Sequence, residues 1–147
     1  TLYSGTVSGA IEGVINGLPS FAVSVNARNP EYFEPSCEMA LKALKLAAGK
    51  LDERTVLSIN LPHVPLSELK GIRVTRLGAR EYDEDFKIHS KDNGGTSYLY
   101  SGEPVVYSGL SDDIDVIAVQ DGYASITPLH YDLTNHELVE EVRSWGF

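Results

Sequence analysis

Five apolar residues near the start of the chain, Val7, Ala10, Ile11, Val14 and Ile15, recur at spacings of three and four and stop at Gly17 and Pro19. That spacing puts them on one face of a helix, Gly17 offers a left-handed stop and Pro19 forbids continuation, so the helix ends near Asn16. A short run of different character follows. Residues 20–26, Ser-Phe-Ala-Val-Ser-Val-Asn, are nearly all apolar and rich in β-branched side chains, which reads as a buried parallel strand. Residues 36–51 return to helical spacing, with Ser36 as cap and Cys37, Ala40, Leu41, Leu44, Ala47, Ala48 and Leu51 on one face. Lys42, Lys45 and Lys50 fall on the other, solvated side. Residues 55–61 then form a second strand closed by Pro62. Helix, strand, helix, strand is the alternation of a layered α/β sheet, with a further strand expected before the first helix.

Ser4, Gly5 and Thr6 stand where that first helix begins. A helix start leaves several N–H groups unpaired and carries about half a positive charge, so these residues can present amides and hydroxyls to a phosphate, with Gly5 admitting close approach. The alternative is a simple N-cap, for which Ser and Thr are preferred. Net charge is −9, from 21 acidic against 12 basic residues, which argues against a nucleic-acid polymer as partner. A mononucleotide remains open, because one phosphate needs only a helix terminus and a metal ion. No apolar run approaches the roughly 18 residues of a membrane span, so no membrane partner is expected. The single Cys37 allows no internal disulfide, suits a reducing compartment and hence a cytoplasmic location, and reads as a small buried helix residue.

Past Pro62 the pattern changes. Residues 62–69 read as a loop with a short turn at Ser67-Glu68, and 71–77 as a strand. Lys70, Arg73, Arg76 and Arg80 form the one concentrated basic stretch, followed by Glu81, Asp83, Glu84 and Asp85. Arg76 and Arg80 are read either as leaning toward a phosphate or partner subunit, or as exposed strand residues paired with acids. Residues 82–90 and 96–101, joined through Asn93-Gly94, have the form of a hairpin. Its Tyr82, Phe86, Tyr98 and Tyr100, together with Tyr107, are too many aromatics for an isolated arm to bury, so the arm packs either on another subunit or on its own domain. Asp112, Asp113 and Asp115 lack the glycine loop and distal acid of a calcium site and read as the acidic start of a helix over 114–120. A strand over 123–127, cut off by Pro128, and a helix over 136–145 complete the chain. Thr134 and Glu137 have capping-box spacing at that last helix, and Asp132 and His136, four apart, hold its leading turn or form a catalytic pair. His63, His89 and His130 stand alone, and no His or Cys pairing suggests a zinc site.

The segment Tyr3-Ser4-Gly5-Thr6-Val7-Ser8-Gly9-Ala10-Ile11-Glu12-Gly13 resembles the corresponding segment of the SurE family, the survival-protein-E metal-dependent nucleotidases. Gly17-Leu18-Pro19 with Phe21-Ala22-Val23-Ser24, then Gly71-Ile72-Arg73-Val74-Thr75-Arg76 with Gly78 and Arg80, then Gly122-Tyr123-Ala124-Ser125-Ile126-Thr127-Pro128-Leu129, follow in the family's order. The resemblance implies the C-terminal part of a three-layer α/β/α sandwich with a protruding β-hairpin and a C-terminal helix. It implies a sheet layer over 1–78 and 102–129, a hairpin arm over 79–101 and a tail over 130–147. The Asp-Asp-Gly turn, the further Ser and the GIN-type Asn that bind one divalent cation in the family are absent, so this chain reads as the C-terminal half of a larger protein. Its magnesium or manganese ligands are expected in the missing part, and none among these residues.

By the same resemblance the expected function is a phosphohydrolase acting on nucleoside 5′- or 3′-monophosphates and on short polyphosphate. Ser4 is the expected catalytic residue, and Ser4, Gly5 and Thr6 the expected phosphate-binding residues. Tyr82, Phe86, Tyr98, Tyr100, Asp132 and His136 are the expected assembly residues of a homodimer or homotetramer. The isolated half is expected to be inactive. The rival readings are a non-catalytic oligomerisation module and a nucleotide-binding regulator.

Overall fold

A computed structural model describes residues 4–78, 82–92, 94–105 and 111–147. Helix α1 spans Gly5–Ile15, strand β1 Ser20–Val25, α2 Glu34–Ala47 and β2 Thr55–Leu61. A single turn of 3-10 helix, Leu66–Glu68, stands where the loop turn is expected, and β3 is Ile72–Val74. The hairpin strands are β4, Tyr82–Asp92, and β5, Gly95–Pro104; α3 (Asp115–Gln120), β6 (Ala124–His130) and α4 (His136–Ser144) follow.

The main sheet has the order β1-β2-β6-β3. β1 runs parallel to β2, β6 antiparallel to β2, and β3 parallel to β6. Side chains alternate across the strands and sort into two cores. On one face Val7, Ala10 and Val14 of α1 pack against Ala22, Val56 and Leu129; on the other, Met39 and Ala43 of α2 pack against Phe21, Val23, Ile59, Leu61, Ala124 and Ile126. The helix, sheet and helix form three layers, as expected.

α1 ends in a Schellman arrangement: the Leu18 amide donates to the Gly13 carbonyl at 3.0 Å and the Gly17 amide to the Val14 carbonyl at 2.9 Å, with Gly17 at φ +77°. Close packing fixes the return. A Cβ on Gly13 would lie 2.3 Å from Ser20 Oγ, so the helix C-terminus sits on the first residue of β1. The N-terminus of α1 therefore points toward the carboxyl ends of β1 and β2. That geometry positions the candidate site.

Four local expectations are corrected. α2 starts at Glu34 with Phe33 before it and Pro35 in its first turn, so Ser36 lies inside the helix and does not cap it. Its buried face is Pro35, Met39 and Ala43, whereas Leu41 and Leu44 are exposed and so is Cys37, because the packing stripe is rotated from the one the leucines suggested. β6 continues through Pro128 to His130. Ala124 and Ile126 turn their backbone groups toward β3, and Pro128 shares their parity but lies beyond the last β3 pair, so its missing N–H leaves no ladder bond unmade. Asn135, not Thr134, caps α4, accepting from the Leu138 amide at 3.1 Å.

The hairpin pairs Asp92 with Gly95, leaving the expected two residues at its tip, although Asn93 itself lies outside the described residues. Tyr3, Arg80, Glu81 and Tyr107 also lie outside them. No helix among the described residues is long and apolar enough to cross a membrane.

Candidate functional site at the carboxyl end of the parallel strands

At the start of α1, Ser4 adopts extended backbone and its Oγ accepts from the Val7 amide at 3.3 Å. The first backbone bond of the helix is Ser8 N–H to Ser4 C=O at 2.9 Å. The Gly5 and Thr6 amides thus precede any intrahelical acceptor, and both residues are exposed. Apart from its chain neighbours and the backbone of its own helix, nothing lies within 4 Å of where a Gly5 Cβ would be, so a ligand oxygen has room there. Ser4 Oγ, while accepting from Val7, keeps its own proton to donate. Cap and candidate ligand group are one hydroxyl.

Beneath that terminus the α1 face of the sheet carries polar residues that the sequence reading passed over. Ser24 of β1 pairs with Asn60 of β2, Asn60 with Ser125 of β6, and Ser125 with Arg73 of β3, in one row across all four strands. The signal was present as polar residues at alternate positions, Ser58 with Asn60 and Ser125 with Thr127, inside strands otherwise apolar. The adjoining row ends in a buried bond between Thr75 Oγ1 and Thr127 Oγ1 at 2.7 Å. Ser125 is fully buried and its Oγ has no hydrogen-bond partner.

Two residues of the basic stretch are held by acids. Arg73 Nη1 donates to Asp121 Oδ2 at 2.8 Å and its guanidinium lies 3.9 Å over the Tyr123 ring; the Asp121 carboxylate raises the arginine's already high pKa. Arg76 Nε donates to Asp113 Oδ2 at 2.9 Å. A hydrogen bond with Ser111, and then this arginine, lower the pKa of Asp113. Asp115 Oδ1 accepts from the Gly78 and Val116 amides, each at 2.8 Å, tying the start of α3 to the strand side. The acids at 112–115 do mark a helix start. Arg80 lies outside the described residues.

Asp132 and His136 meet at 2.9 Å, both exposed. The Thr134 hydroxyl and amide, and then His136, hold the Asp132 carboxyl far below the ordinary carboxylate range. The pair braces the turn before α4. On the hairpin, Phe86 faces Tyr100 at 5.1 Å between ring centroids, and Ile88 faces Tyr98; all four are more than half exposed. Tyr82 pairs through its backbone with Pro104, and its side chain is outside the described part.

These elements define a layered α/β protein with a helix terminus aimed at the carboxyl ends of parallel strands, a projecting hairpin and a C-terminal helix. A family model described as "Survival protein SurE" matches residues 1–84. The chain belongs to the SurE family. It is 42% identical over 144 residues to a 5′-nucleotidase SurE of Syntrophomonas wolfei, covering 97% of this chain and 54% of that protein. To the 5′-nucleotidase SurE of Legionella pneumophila it is 39% identical over 142 residues, 96% of this chain and 56% of that one. The crystal structure of the SurE protein from Aquifex aeolicus matches with a TM-score of 0.82 at 36% identity, over 99% of this chain and 59% of that one. The chain therefore spans about half the length of the curated relatives it matches.

Proposed function

We propose that this chain supplies the phosphate-holding part of a phosphohydrolase for nucleoside 5′- or 3′-monophosphates, with short polyphosphate as a further substrate. The observation that carries the reading is the start of α1, where one serine hydroxyl and two unpaired amides converge at a helix terminus open to a ligand. In this reading Ser4 Oγ and the Gly5 and Thr6 amides bind the phosphoryl oxygens and stabilise the charge that grows on them as water attacks. Membership of a family with relatives named 5′-nucleotidase supports the substrate class.

A divalent cation, magnesium or manganese, belongs to the reading as the Lewis acid of the reaction. Among the described residues no three His, Cys, Asp or Glu side chains come together to hold a metal ion; the ligands are proposed to lie elsewhere in the protein. The test is phosphate release from a nucleoside monophosphate with added magnesium or manganese. The full-length protein carrying this sequence is expected to turn over, and the 147-residue chain alone to match a no-protein control. Binding of the monophosphate without turnover by the full-length protein would favour the regulator reading instead.

A second reading rests on a separate observation. Phe86, Ile88, Tyr98 and Tyr100 lie exposed on one hairpin face and α4 buries none of its residues, an apolar exposure that a second copy of the chain would cover. We infer a homodimer or homotetramer built by the arm (79–101) and the tail (130–147), beside a sheet layer over 1–78 and 102–129. Phe86→Ser combined with Tyr100→Ser is expected to lower the assembly's mass in light scattering by at least one subunit. An unchanged mass removes the arm from the interface.

A further inference from the structure

The row Ser24–Asn60–Ser125–Arg73 crosses the α1 face of the sheet near the carboxyl ends of β1 and β2, the end toward which the α1 N-terminus points. We propose that Asn60 binds the sugar hydroxyls of the nucleotide, with Ser125 as the residue that positions its amide; the proposal rests on the phosphohydrolase reading above. Three observations carry it. Ser125 is fully buried with an unpartnered hydroxyl, an arrangement that is unfavourable when nothing compensates it. Asn60 stands directly opposite it in register, half-buried, and its side chain makes no hydrogen bond among the described residues. Facing pairs on adjacent antiparallel strands have Cβ atoms about 5 Å apart, so Ser125 Oγ can donate to Asn60 Oδ1 when a ligand fixes the amide.

Solvent access divides the roles. Ser125 is closed off, so Asn60 is the member of the pair that reaches a ligand. Charge selects the ligand class. The one cation of the row, Arg73, is held by Asp121 and stacked on Tyr123, which leaves a neutral amide with donors and an acceptor. Such a group suits a vicinal diol better than an anion, and a nucleoside monophosphate whose phosphate sits at the start of α1 carries its ribose next to that phosphate.

The experiment uses the full-length protein carrying this sequence and compares kcat/KM for a ribonucleoside 5′-monophosphate with that for its 2′,3′-dideoxy analogue. Wild type is expected to prefer the ribonucleotide by about tenfold or more, because a site built to bond a hydroxyl is left unpaired by the analogue lacking it. Asn60→Ala should collapse that ratio toward one, mainly through KM. Ser125→Ala, which removes only a buried unpartnered hydroxyl and should fold normally, should reduce the ratio in part. A wild type that hydrolyses both nucleotides equally well overturns the proposal while leaving the phosphohydrolase reading intact. A Ser125→Ala or Asn60→Ala variant that keeps the full ratio overturns it too. No phosphate release from the ribonucleotide by wild type overturns both readings.

Discussion

Ser4→Ala in the full-length protein is expected to slow phosphate release from a nucleoside monophosphate by roughly ten- to a thousandfold, the range for removal of one donor that stabilises developing charge. Two effects must be separated. Ser4 Oγ also accepts from the Val7 amide, so the same substitution removes an N-cap and costs about 1 kcal/mol of stability. Ser4→Asn separates them: it retains an acceptor for the Val7 amide but moves the donor, so stability should return while the rate stays low. Melting temperature and kcat, measured on both variants, report the two quantities independently. A wild-type rate in Ser4→Ala would leave Ser4 with the cap alone, and the α1 terminus would lose its claim on the phosphate.

Ile59→Ala is expected to destabilise the protein by about 2–5 kcal/mol. Ile59 is wholly shielded from solvent, and it lies on β2, which pairs with β1 on one side and β6 on the other. Its side chain fills the core between the sheet and α2, alongside Met39, Ala43, Leu61 and Ala124. Neither neighbouring strand can shift inward without breaking its ladder to β2, so the cavity left by three carbons cannot close. Leu41→Ala on the exposed face of α2 provides the contrast, with an expected change within about 0.5 kcal/mol. Urea unfolding of both variants checks the pair; equal losses would mean that the α2 leucine face is covered in the protein as it exists in solution.

Much of the architecture was legible from local pattern. The three-and-four spacing of Val7 to Val14, the Gly17 stop and the β-branched run after Pro19 gave α1 and β1 at close to their observed bounds, because those signals are set within one turn or one pleat. The hairpin was legible for the same reason, since Asn-Gly between alternating residues is a local instruction. α2 was harder to orient. Its three leucines are all exposed, and which stripe packs is decided by the sheet it meets, so Met39 and Ala43 went inside while Leu41 and Leu44 stayed out. Pro128 misled as a strand terminator for a related reason: whether a proline breaks a ladder depends on which neighbour its nitrogen faces.

The candidate site divides along the same line. Ser4, Gly5 and Thr6 could be picked out in the sequence because a helix N-terminus is a local object, with cap, first turn and apolar face contained in a dozen residues. Ser24, Asn60, Ser125 and Arg73 could not, because they are drawn from four strands and become neighbours only through the parallel and antiparallel register of β1, β2, β6 and β3. By itself the sequence determined the α/β class, the helix terminus and the family, all of which are written in short-range pattern and motif order. Only the tertiary structure decided which faces are buried and which polar side chains share the floor beneath that terminus, because contacts between residues far apart in the chain are fixed by sheet pairing, and no local signal encodes a strand's partner.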